Sequence, residues 1–131
     1  MIGLDSDVLV RYIMQDDSGQ SARATRLVES LTAQAPGFIS LVVCVELIWV
    51  LTSAYGLGRR QIADTLDALL RSQELVIDRV DLIARAQRGF RSGSADFSDY
   101  LIQQIALDAG CKATMTFDRK AARSAGMTLV S

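Results

Sequence analysis

At 131 residues, 50% hydrophobic and 22% charged, the chain has the make-up of one folded domain rather than of a disordered or fibrous protein. A formal charge of −1 argues against a strongly basic nucleic-acid binder, and no apolar run reaches the ~20 residues that a membrane span needs. The opening MIGLDSD lacks the basic and apolar regions of a secretory signal, so a cytoplasmic protein with residues 1–131 as a single domain is the expectation.

In chain order, residues 1–4 (MIGL) read as a short strand. DSDVLVRYIMQDD follows at once, with Val8, Leu9, Tyr12 and Ile13 at helical spacing. A more polar helix is expected over 18–34, with Ala22, Leu27, Val28 and Leu31 as its inner face and the single proline, Pro36, as its stop. GFIS (37–40) reads as a second strand leading into the apolar helix LVVCVELIWVL, which ends near Ala54. After the YGLG turn, 59–71 is amphipathic, with Ile62, Leu66, Leu69 and Leu70 inside. ELVI (74–77) is a third strand, 80–90 a helix and RSGSA a loop. A helix over 96–109 closes at Gly110. KATMTF is a fourth strand, DRKAARSAG a short helix ended by Gly126, and MTLV a last strand. Short strands alternating with helices predict an α/β fold, a three-layer α/β/α sandwich around a central, mainly parallel sheet.

The residue inventory narrows the chemistry. With no histidine in the chain, Ser-His-Asp and Cys-His catalysis are excluded, and two cysteines alone do not build a zinc site. Cys44 and Cys111 are expected as small buried hydrophobes. What remains is a series of acids beyond strand ends, where a parallel sheet gathers side chains from distant parts of the chain. Asp5 and Asp7 follow the first strand and Glu46 lies in the helix after the second. Asp96 and Asp99 begin the helix after the serine-glycine loop, and Asp118 follows the fourth strand. Asp5, Asp96 and Asp118 also suit helix N-caps, and Asp99 suits the positive end of a helix dipole. Glu46 is different, being too far inside an apolar helix to cap it. Burial would make its charge costly unless a cation compensated it. Oxygen ligands without His or Cys select Mg²⁺ or Mn²⁺, and such a cluster supports phosphodiester hydrolysis. Committing four of the 15 acids to metal would leave 11 against 14 basic residues. Twelve of those 14 are Arg, the side chain suited to bidentate phosphate contacts.

The stretches IGLDSDVLVRYI, FISLVVCVELIWVL, ADFSDYLIQQIA and TMTFDRKAA together resemble the PIN-domain family, specifically VapC-type toxin ribonucleases of type II toxin–antitoxin pairs. The resemblance covers essentially the whole chain. The family's first motif usually reads D-T-N-V-L; here Ser6 keeps the hydroxyl and Asp7 replaces the amide with another potential anion. By this resemblance Asp5, Glu46, Asp99 and Asp118 are the catalytic, metal-holding acids. Asp96 is accessory, Thr116 is a supporting hydroxyl, and Ser6 and Asp7 belong to the same neighbourhood. The resemblance implies an Mg²⁺- or Mn²⁺-dependent endoribonuclease acting on RNA such as tRNA or rRNA loops. It also implies a homodimer and a VapB-type antitoxin as partner.

Two other readings compete. IGLDSDVLV is similar to the hhhhDxDx start of haloacid-dehalogenase-like phosphatases, with Asp5 as nucleophile. That family needs a Lys before its final acidic pair, and both lysines here, Lys112 and Lys120, come after Asp96 and Asp99. A catalytically idle PIN-like module that binds only RNA or protein would be favoured by loss of an acid, and all four are present.

Overall fold

Every strand pair in the computed structural model, which describes residues 1–131, is parallel. Cα packing divides the chain into two compact units, Met1–Asp78 and Arg79–Ser131.

The first unit holds a three-stranded sheet in the order β1–β2–β3: β1 (Ile2–Gly3), β2 (Gly37–Ile39) and β3 (Leu75–Ile77). Ile2 pairs with Gly37 and Gly37 with Leu75, and the Leu4 and Asp78 amides extend the ladder by donating to Phe38 and Ile39 carbonyls, each at 2.9 Å. The centre of the sheet is tight. A Cβ on Gly37 would lie 2.7 Å from Leu4 Cδ1 and 2.9 Å from Leu31 Cδ1, so only glycine lets both leucines bury against β2. Helices α1 (Ser6–Met14) and α2 (Ser18–Glu29) join β1 to β2, while α3 (Leu41–Ser53) and α4 (Arg59–Arg71) join β2 to β3. Helix α1 packs on α2 and α3, and α4 packs on α3 and β3.

Local chemistry sets the helix starts. Asp17 accepts the Gln20 amide at 2.9 Å and Ser40 accepts the Val43 amide at 3.1 Å, N-caps that each contribute about 1 kcal/mol. Helix α2 stops at Glu29 rather than running to residue 34, because Thr32 and Ala35 close their own turn, with Thr32 Oγ1 accepting the Ala35 amide at 3.0 Å. Its inner face is Ser21 and Ala24; Ala22 is exposed. The anticipated strands over 74–77 and 112–117 shrink to three and two residues, since only those find a parallel partner.

The second unit consists of α5 (Val80–Ser92), α6 (Phe97–Asp108), β4 (Met115–Thr116), α7 (Arg119–Ser124) and β5 (Thr128–Leu129). Helices α5 and α6 make its main packing, and α7 lies against the β4–β5 pair. Phe90 meets Phe97 and Tyr100 edge-to-face, with ring centroids 6.0 and 6.4 Å apart. No helix of either unit is long and apolar enough to cross a membrane.

Candidate active site

In the first unit the site begins where β1 gives way to α1. Asp5 is the N-cap of that helix, with extended backbone, and its carboxylate accepts the Ser6 amide at 2.7 Å. Ser6 is buried, and its hydroxyl donates to Glu46 Oε1 across 40 positions of sequence. One serine therefore holds two of the predicted acids, its amide on one and its hydroxyl on the other.

Glu46 departs from expectation. The apolar helix around it buries only one side, through Cys44, Leu47, Ile48 and Leu51, and Glu46 is exposed. It shares the outer stripe with Val42 and Trp49, which are 75% and 68% exposed, at the i, i+4, i+7 spacing of one helical face. The apolar neighbours in sequence gave the impression of burial, but only the Cys44, Leu47, Ile48 and Leu51 side of α3 is packed against other elements. Its charge therefore carries no burial cost for a cation to offset; the compensating contact within the unit is Ser6. Asp7 is also exposed and lines a groove of ≈ 270 Å³ with Val8 and Arg11 of α1 and Gln20 and Arg23 of α2.

In the second unit the acids sit at two helix starts. Asp96 is the N-cap of α6, and its amide donates back to Asp99 Oδ2 at 3.1 Å, half of a capping box. Asp118 is the N-cap of α7 and accepts the Lys120 and Ala121 amides at 2.8 and 3.3 Å. Thr116 Oγ1 accepts the Asp118 amide at 3.0 Å, fixing the turn between β4 and α7. Partial burial pushes the Asp99 carboxyl above the usual aspartate range, and the charges of Asp96 and Asp118 add to that push. The Asp96 amide and the charge of Lys120 act the other way. Asp99 thus lies within reach of the charges of Asp96, Asp118 and Lys120.

Sequence reasoning missed Lys120 and the clamp behind Asp96. Tyr100 Oη accepts the Ala95 amide at 3.2 Å and hydrogen-bonds Ser124 Oγ, which in turn accepts the Ser94 amide at 2.9 Å. The tyrosine passes so close to α5 that a Cβ on Gly89 would lie 2.8 Å from its ring, and one on Gly93 would lie 1.8 Å from its hydroxyl. The spacing of Gly89 and Gly93, one helical turn apart, was the available signal. Cys111, expected inside, is exposed because the turn after α6 leaves it at the surface. Cys44 is buried as expected, which pushes its thiol up to about 12.

The donor set is composed of carboxylates and hydroxyls, which fits a hard divalent cation. Within neither unit alone do three such acids gather closely enough to cage one. In comparisons with known proteins, the family model described as PIN domain matches residues 2–127. No curated protein matches the chain.

Proposed function

The chain belongs to the PIN domain family, an α/β/α fold of nuclease type, and on that premise we propose that it is a single PIN domain acting as a metal-dependent endoribonuclease. The same proposal makes it the VapC-type toxin of a type II toxin–antitoxin pair. The observation that carries the nuclease reading is the serine link: Ser6 ties Asp5 to Glu46, two motif acids that lie on different helices, 41 positions apart in the chain.

In this reading Asp5, Glu46, Asp99 and Asp118 hold Mg²⁺ or Mn²⁺. Bound there, such an ion would supply polarisation of water and of phosphate oxygens and compensation of charge in the transition state. The chain's own residues supply positioning. Ser6 orients Glu46 while leaving its second oxygen available, and the cap geometry fixes Asp5 on a rigid helix start. The capping box does the same for Asp99, and Thr116 orients the turn that presents Asp118. Asp96 supports the site through that box, and Asp7, in the first turn of α1, is accessory to it.

The partners belong to the same proposal: an RNA substrate such as tRNA or rRNA, a VapB-type antitoxin and a second copy of the chain, all in the cytoplasm. The exposed Val42 and Trp49 support a surface that is covered in an assembly.

The test is cleavage of cellular RNA by purified protein. Asp5→Asn and Asp99→Asn should each lower the rate by at least about a hundredfold, as loss of a transition-state electrostatic contact does, with the far-ultraviolet dichroism unchanged. EDTA should stop the wild type and Mn²⁺ restore it. Full activity of either variant, or of the wild type in chelator, would overturn the proposal. Growth arrest on induced expression, relieved by co-expression of a small antitoxin protein, is the outcome the toxin assignment requires.

A further inference from the structure

The net charge of −1 conceals an uneven distribution. Residues 1–78 carry six basic and ten acidic side chains, a balance of −4, while residues 79–131 carry eight basic and five acidic, a balance of +3. Three of those five acids are Asp96, Asp99 and Asp118, and a fourth, Asp108, is paired with Arg79. Outside the acidic site, the second unit is therefore a strongly basic surface, with all eight of its cationic residues exposed.

The cations are ordered most clearly on α5. Leu82, Ile83, Ala86, Gln87 and Phe90 form its buried face. Asp81, Arg85, Arg88 and Ser92 fall at i, i+4, i+7 and i+11, the stripe turned away from that face, and all four are exposed. From Arg85 to Ser92 the stripe runs about 10 Å along the axis. It ends at the loop that the Tyr100–Ser124 clamp holds in place, and that loop delivers Asp96 and Asp99. Two exposed guanidinium groups on one helical face, on the helix whose C-terminal loop carries the acids, are an arrangement that can seat a polyanion beside them. Arginine suits phosphate, because its planar fork binds two oxygens at once and stays charged at any working pH.

We infer that the outer stripe of α5, through Arg85 and Arg88, is the surface that binds the phosphate backbone of the RNA and leads it toward Asp96 and Asp99. The inference rests on the nuclease reading for the identity of the polyanion. The stripe contacts phosphates rather than base edges, so it contributes affinity and register and no sequence preference.

The experiment is fluorescence anisotropy of a labelled single-stranded RNA with the full chain in EDTA, where nothing is cleaved, repeated over a range of KCl. The double variant Arg85→Glu/Arg88→Glu should bind at least about tenfold more weakly at 0.1 M salt, and the slope of log affinity against log salt should fall by about 1.4, as loss of two single-strand phosphate contacts requires. The control Arg23→Glu/Arg60→Glu makes the same change of net charge on exposed residues of the first unit and should stay within about twofold of wild type. Unchanged affinity in a folded Arg85→Glu/Arg88→Glu variant would overturn the stripe, and so would equal weakening in the control. Wild-type protein that cleaves RNA but binds it independently of Arg85 and Arg88 overturns this inference and leaves the nuclease reading standing. Binding through the stripe with no cleavage in Mn²⁺ does the reverse.

Discussion

Asp99 shows how one side chain is shared between folding and chemistry. Its carboxylate accepts the Asp96 amide, which helps start α6, yet partial burial and the charges of Asp96 and Asp118 raise its proton affinity. The folded state therefore binds this proton more tightly than the unfolded chain does. Stability falls as pH rises from the ordinary aspartate value, about 3.9, through the raised one, and the penalty persists above it. Asp99→Asn keeps an acceptor for the amide and removes the charge. In metal-free buffer the variant should be modestly more stable than wild type at pH 7, and the difference should vanish below about pH 3.5, where both states are protonated. Urea melts at the two pH values measure it, and a variant less stable than wild type at pH 7 would show that the carboxylate is chiefly structural.

At the level of elements, the acids predicted from spacing are placed by caps. Asp5, Asp96 and Asp118 each occupy the N-cap position that their sequence context allowed, so the capping role and the proposed chemistry coincide in the same side chains. A cap holds its carboxylate at a rigid helix start, where the amides it satisfies leave oxygen lone pairs facing outward. The loop between α5 and α6 depends on a different device, the close approach of Tyr100 to two glycines. Gly93 is extended, not left-handed, so its requirement is space. In Gly93→Ala the new methyl meets Tyr100 Oη, Ser124 Oγ and the Gly89 carbonyl. The expected loss is about 1–3 kcal/mol, typical of overpacking. In a Tyr100→Phe background the same substitution should cost less, because the closest atom is gone, and a double-mutant cycle in urea reads the coupling. An additive cycle would mean that the loop moves as a body instead.

For the whole molecule, the proposed ion couples chemistry to stability. An ion that binds the folded chain alone raises the unfolding free energy by about 2.7 kcal/mol at one hundred times its dissociation constant. Mn²⁺ should accordingly raise the Tm of the wild type, and it should leave Asp5→Asn and Asp99→Asn unmoved, because each lacks a carboxylate from the proposed set. Differential scanning fluorimetry with and without EDTA makes the comparison. A Tm that ignores Mn²⁺ in the wild type would remove the cation from the proposal, whatever the protein does to RNA.

The sequence by itself determined the order of strands and helices, the bounds of α4 and the start of α3 to the residue, and the absence of histidine chemistry. These follow from periodicity, caps and composition, which are local. It also marked the acids, because strand ends and cap positions are legible in a few neighbouring residues. Which side of an apolar helix faces inward is not local: α3 reads as buried throughout, yet Val42, Glu46 and Trp49 are exposed, since only contact with other elements selects the buried stripe. Two further features also depended on contacts distant in sequence. Ser6 reaches Glu46 across 40 positions, and Tyr100 needs Gly89 and Gly93 bare on a neighbouring helix. The tertiary structure alone decided these, because a hydroxyl or an absent methyl acquires its meaning from what packs against it.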